Sequence, residues 1–215
     1  MHIQDNILKA NLKNVYFICG NACSGKTTMS RMLAEKYGFY LYDMDAVYDE
    51  HRAIATPKYQ PETCYHMENH HEQWMRPIAE QARWMLENIR EQSEMVLIDL
   101  IRLSQNRIVV ADAMYSPDFT PEIMDPGHFI YLTVDKSLIR KTYFNRPEKR
   151  GFYEFVAKQP LAETYFENIF QGLELTNELE QQGMRRSGFT MLERTEDLSK
   201  EEMLYKIEQH FGLKK

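Results

Sequence analysis

The feature that most constrains this chain is an apolar run, Val15 to Cys19, that stops on Gly20 and opens the stretch GNACSGKT, residues 20 to 27. A short apolar run closed by glycine suits a strand buried on both faces. Beyond the stretch, Met29, Met32, Leu33 and Tyr37 recur at helical spacing, and Gly38 stands where a helix C-cap glycine belongs. Strand, glycine loop and helix therefore follow one another within 24 residues, Val15 to Gly38.

The rest of the chain keeps that alternation. Phe39 to Tyr42 reads as a second strand running into Asp-Met-Asp at 43 to 45. From Pro77, apolar residues at 82, 85, 86, 89, 96, 97 and 100 keep helical spacing, which predicts one long helix even through the strand-like MVLIDLI. Ile108 to Ala111 reads as a buried strand with Asp112 at its carboxyl end. Thr120 and Pro121 suggest the N-cap and first position of a short helix. A strand over 129–134, a helix over 136–144, a helix over 160–182 and a weak strand over 188–192 follow. Ser199 and Glu202 form a capping box for a closing helix, with Leu198 and Met203 as its hydrophobic staple and Gly212 at its end. Strands alternating with helices predict an α/β fold in three layers, because each crossover helix must cover one face of a parallel sheet. Ligands of such sheets bind at the carboxyl ends of the strands.

Composition narrows the class. The 215 residues carry a net charge of −6 and are 43% hydrophobic, enough for one sizeable core. An acidic balance argues against a nucleic-acid or membrane-surface binder, which needs a basic excess. Cys19, Cys23 and Cys64 are too few and too unevenly spaced for a disulfide framework. The opening residues lack a signal-peptide pattern, and no run of eighteen apolar residues occurs. A cytoplasmic, single-domain protein over residues 1–215 is expected.

GNACSGKT fits G-x-x-x-x-G-K-[ST], whose backbone N–H groups converge on a phosphate. Glycines at 20 and 25 allow the close approach that a Cβ would obstruct. A helix starting near Gly25 turns its positive end toward the anion. Lys26 is placed to reach the β and γ phosphates and Thr27 to ligate Mg²⁺, while Asn21, Ala22, Cys23, Ser24 and Thr28 complete the cradle. The guanine-reading N-K-x-D sequence is absent, so ATP is the expected nucleotide. Cys23 is read as a small loop residue.

The loop, the strand ending in Asp-Met-Asp, the third strand with Asp112, the arginine-rich segment after the fourth strand and the terminal strand and helix together resemble the P-loop small-molecule kinases. That group includes nucleoside monophosphate, shikimate and gluconate kinases and chloramphenicol phosphotransferase. The resemblance covers nearly the whole chain, although only its first 45 residues are specific. It implies a five-stranded parallel sheet of order 2-3-1-4-5, an acceptor-side helical insert over about 46–105 and a lid over about 140–155. LYDMDAVY resembles the shikimate-kinase strand. The resemblance makes Asp43 the residue that holds Mg²⁺ through water and Asp45 the one that meets the acceptor hydroxyl. On an ideal strand the two would share a face. Asp112 corresponds to the acid that contacts Mg²⁺ indirectly or acts as the base, so the base is either Asp45 or Asp112. Among Arg140, Lys141, Arg146, Lys149 and Arg150, the resemblance implies lid arginines over the transferring phosphate. Arg146 is the favoured catalytic one, with Arg140 and Arg150 at the nucleotide.

The glycine triplet of shikimate kinases and the Gly-Phe-Pro-Arg of adenylate kinases are both missing after the third strand, so shikimate is not the expected acceptor. By location, Tyr48, His51, Arg52 and Trp74 are candidates for the acceptor pocket, although Trp74 and Trp84 suit packing better. Cys64, His66, His70 and His71 lack the spacing of common zinc motifs and read as a polar substrate-side segment. The expected activity is ATP- and Mg²⁺-dependent phosphoryl transfer to a hydroxyl or phosphate of a small metabolite. The alternative is a regulatory module whose ATP occupancy controls a protein partner.

Overall fold

A computed structural model describes residues 3–65 and 70–213. Its elements, in order, are α1 (Asp5–Asn11), β1 (Val15–Gly20), α2 (Lys26–Tyr37), β2 (Tyr40–Asp43), α3 (Tyr48–Ile54), α4 (Pro61–Cys64), α5 (His70–Met75) and α6 (Ile78–Leu103). There follow β3 (Val109–Ala113), β4 (Phe129–Val134), α7 (Lys136–Thr142), α8 (Arg150–Ala157), α9 (Ala162–Ser187), β5 (Thr190–Arg194) and α10 (Lys200–His210). The five strands pair in parallel throughout, in the order β2-β3-β1-β4-β5.

The two faces of the sheet follow from side-chain alternation along the strands. Val15, Phe17 and Cys19 of β1, with Val109 and Ala111 of β3 and Phe129 and Tyr131 of β4, pack in one core with Val96 and Leu100 of α6 and Met184 of α9. The intervening Ile18, Val110, Ile130 and Leu132 pack in another with Met29 and Leu33 of α2 and Met203, Leu204 and Ile207 of α10. Both faces are covered, which is why the strands read as unbroken apolar runs. Among the described residues no helix is long and apolar enough to cross a membrane.

Helix ends follow local chemistry. Gly38 closes α2 at φ 70° and Gly188 closes α9 at φ 79°, both left-handed. Ser199 and Glu202 make the reciprocal capping box of α10, and Leu198 joins Met203 in the same core.

Several expectations need correction. The short helix after Thr120 is only a turn, in which Ile123 and Met124 N–H both donate to Thr120 O at 3.0 Å. Asp125 precedes Pro126 and is extended (ψ 121°), which stops helix growth. α9 runs to Ser187, and Gly188 is its cap rather than the start of the last strand, which begins at Thr190. Asp112 lies inside β3, not after it. β2 ends at Asp43, so Asp45 sits in the following turn rather than on a strand face with it.

Candidate functional site

The loop from Gly20 to Gly25 joins the carboxyl end of β1 to the amino end of α2. It is knitted internally. Asn21 O accepts from Ser24 N at 3.2 Å and from Ser24 Oγ at 2.8 Å, and Asn21 N–H donates to Leu132 O at 3.2 Å. A Cβ on Gly20 would stand 2.4 Å from Leu132 O, so only glycine lets the loop leave the sheet here. Gly25 adopts φ 92° as the α2 N-cap, and Cys23 takes φ 68°, a left-handed conformation that glycine adopts more readily. Arg194, the last residue of β5, donates to Cys23 O at 2.5 Å and braces the loop from outside.

Lys26, the first residue of α2, sends Nζ to 3.7 Å from Asp112 Oδ1. The carboxylates at this end of the sheet have separate origins. Asp112 and Asp43 are register partners on β3 and β2, side by side on neighbouring strands. Asp45 is brought back by the turn after β2, where its N–H donates to Asp43 Oδ1 at 3.0 Å. Burial raises the Asp112 pKa, opposed by Lys26 and a Thr27 hydrogen bond and reinforced by Asp43 and Asp45. Asp112 Oδ1 is buried without a hydrogen-bond partner. Burial acts against the Lys26 ammonium, but Asp112, Asp45, Glu180 and Cys19 outweigh it and raise its pKa. The site thus sets the Lys26 cation beside Asp112, with Asp45 and Glu180 also favouring its charge.

The segment 140–155 contributes unequally. Arg146 lies with Cζ 5.0 Å from the Tyr143 ring centre and Nε donating to Tyr143 O at 3.2 Å. Lys149 Nζ lies 5.5 Å from the same ring. Burial and the Arg146 charge lower the Lys149 pKa, and Asp45 opposes this. Asp45 and Lys26 thus act on Lys149 in opposite senses. Arg140 is clamped to α9, bonded to Glu167 at 2.8 and 3.0 Å and to Glu174 at 2.6 Å. Arg150 is exposed and pairs with Glu154 at 3.0 Å. Neither is gathered at the loop.

The acceptor-side candidates also divide. His51 is buried, with its ring nitrogens 2.8 Å from Gln92 Oε1 and 2.9 Å from Asp99 Oδ2, and so ties α3 to α6. Tyr48 Oη accepts from Asn88 at 3.3 Å. Arg52 faces Asp49 at 3.9 Å on the rim of α3. His70 stacks on Trp74, and His71 Nδ1 lies 2.6 Å from Tyr165 Oη. His66 lies outside the described residues. Among the described residues no group of three or more His, Cys, Asp or Glu is placed to hold a metal ion by itself.

One part of the site has no sequence signal. Asn21 Nδ2 donates to Tyr131 Oη at 2.7 Å and to Glu180 Oε2 at 2.9 Å, and Gln181 Nε2 donates to Asn21 Oδ1 at 3.2 Å. Glu180 lies mid-helix in α9, where a glutamate ordinarily marks the wet face, and only the packing of α9 against the loop reveals its role.

No protein-family model matches this chain, and no curated protein matches it. Function has to be read from the geometry of the site.

Proposed function

We propose that this protein is an ATP- and Mg²⁺-dependent phosphotransferase of the P-loop kinase type, acting on a hydroxyl or phosphate of a small metabolite. The observation that carries this reading is the Lys26–Asp112 pair at 3.7 Å, at the junction of a glycine loop and a helix amino end. A lysine on that junction neutralises phosphate, and a buried carboxylate beside it has a use when a metal ion accompanies the phosphate.

The residues fit such a metal. Mg²⁺ needs only one or two protein ligands, with water and phosphate oxygens completing its shell. Thr27 and Asp43 would hold it, and Asp112 Oδ1, which faces Lys26 but accepts no hydrogen bond, fits a role in ordering its waters. When bound, the ion withdraws charge from the transferring phosphate.

The chain's own groups supply the rest. Loop amides and Lys26 bind the phosphates, and Arg146 with Lys149 stabilises charge on the transferring group. Asp45, exposed in the turn after β2, orients the acceptor hydroxyl and takes its proton as the new O–P bond forms and the bond from Pγ to ADP breaks. Catalysis is positioning plus charge stabilisation.

The test is ADP release measured over a panel of nucleosides, nucleotides, sugars, cyclitols and aminoglycoside-like alcohols at fixed ATP and Mg²⁺. One acceptor class should raise the rate steeply. A flat response across the panel counts against the proposal.

A further inference from the structure

A cavity of about 140 Å³ lies between α5, α6, α8 and α9. Its walls are aromatic: Trp74, Trp84, Tyr143 and Phe152. Its polar edge is built rather than incidental. Gln81 Nε2 donates to Arg76 O at 3.1 Å and to Gln73 O at 3.3 Å, which lays the amide across Gly172 of α9. A Cβ on Gly172 would meet Gln81 Oε1 at 2.7 Å. Glycine inside a helix costs stability relative to alanine, and here its effect is to leave room for that amide.

The cavity shares a wall with the glycine loop. Tyr143 and Leu173 line it and pack in one cluster with Cys23, with Ala22 and Met85 against them. The cations of Arg146 and Lys149 stand over the same Tyr143 ring. A ligand seated in the cavity would therefore lie next to the charged groups assigned above to phosphate.

We infer that this cavity anchors the acceptor and that the acceptor carries a single aromatic ring, of pyrimidine or phenol size, with its hydroxyl directed toward the loop. The walled part of this half-open cavity, about 140 Å³, suits one ring, since roughly 150 Å³ of apolar space holds a benzene. A fused bicycle would project through the open side and leave its second ring without wall contact. Ring chemistry sets the class, because aromatic walls favour a flat π-face and Gln81, its Nε2 already donating to Gln73 O and Arg76 O, keeps only Oε1 to accept from a polar ring edge. This inference rests on the phosphotransferase reading for the word acceptor, but not for the ring site itself.

The chain's only two tryptophans, Trp74 and Trp84, both line the cavity, so indole emission reports on it directly. Without ATP, the protein is titrated with uridine, cytidine, 3-pyridinemethanol and benzyl alcohol, and in parallel with adenosine and myo-inositol. At least one single-ring probe should change the emission saturably and bind about ten-fold or more tightly than adenosine, with myo-inositol silent. Ile169→Phe, which fills the cavity from α9, should abolish that change while the melting temperature stays near that of the parent. If that variant does not fold, Trp84→Phe should weaken single-ring binding with Trp74 still reporting. No single-ring response, or adenosine binding as tightly, overturns the inference. A second arm adds ATP and Mg²⁺ and follows ADP release. Ring binding without stimulated release keeps the ring site and removes the acceptor role. Release stimulated by a ring-free alcohol, with emission unchanged, removes the inference and keeps the phosphotransferase.

Discussion

The side-chain amide of Asn21, in the glycine loop, donates to the buried carboxylate of Glu180 on α9 at 2.9 Å. Burial pushes the Glu180 pKa up to about 7, against the pull of the Asn21 hydrogen bond, Lys26 and Tyr131. Its other oxygen has no hydrogen-bond partner. A carboxyl whose pKa is higher folded than unfolded binds more protons in the folded state, so this group's contribution to stability falls as pH rises from about 4.5 to about 7. Urea unfolding at pH 5 and pH 7.5 should show roughly 2 kcal/mol lost at the higher pH from this source. Glu180→Gln should flatten that slope; an unchanged slope in the variant would mean that another group carries it.

Gly20→Ala should destabilise the protein by about 2 to 3 kcal/mol, because the added Cβ meets a backbone carbonyl, Leu132 O, that cannot rotate away. Denaturant midpoints measure this. A loss under about 0.5 kcal/mol would mean that the loop leaves the sheet by another path.

Lys149, with its pKa lowered by burial and Arg146, should lose its proton at lower pH than an ordinary lysine. Turnover should therefore fall early on the alkaline limb of the pH profile. Lys149→Arg should move that limb upward, and Lys149→Met should cut the rate by about 10². Arg150→Ala, whose guanidinium pairs with Glu154 in solvent, should stay within about two-fold of the parent. Equal losses in the Lys149→Met and Arg150→Ala variants would show that the segment acts only through its total charge.

Asp45→Asn should lower turnover by about 10² to 10⁴ with little change in unfolding, since Asp45 is exposed and makes no core contact. Asp112→Asn should alter both, because its carboxylate is buried beside Lys26. Wild-type rates in Asp45→Asn assign the base elsewhere, with Asp112 next in line.

What was legible in the sequence depended on the range of the signal. The buried strands β1, β3 and β4 announce themselves as apolar runs because both their faces are covered, and the capping box of α10 is written in two residues three apart. GNACSGKT fixed the strand-loop-helix geometry for the same reason. The helices α3, α4, α5 and α8 are four to eight residues long and too short for a periodic stripe, so the sequence shows only a polar region there. Asp43 and Asp45 are linked through a turn and a backbone hydrogen bond rather than by strand alternation, because β2 ends at Asp43. Arg140 and Arg150 look alike in a basic run, and only the positions of Glu167, Glu174 and Glu154 separate their surroundings from those of Arg146. Glu180 and the aromatic cavity are made by residues far apart in the chain, to which no local pattern points.

The hold of the glycine loop on nucleotide is measured most directly by calorimetric titration of ATP with Mg²⁺ into the parent protein and into Lys26→Ala. Saturable one-to-one binding in the parent, weakened ten-fold or more in the variant, is the predicted result, since a phosphate charge loses its nearest cation. Absence of binding in the parent, or equal affinity in the two proteins, would contradict it.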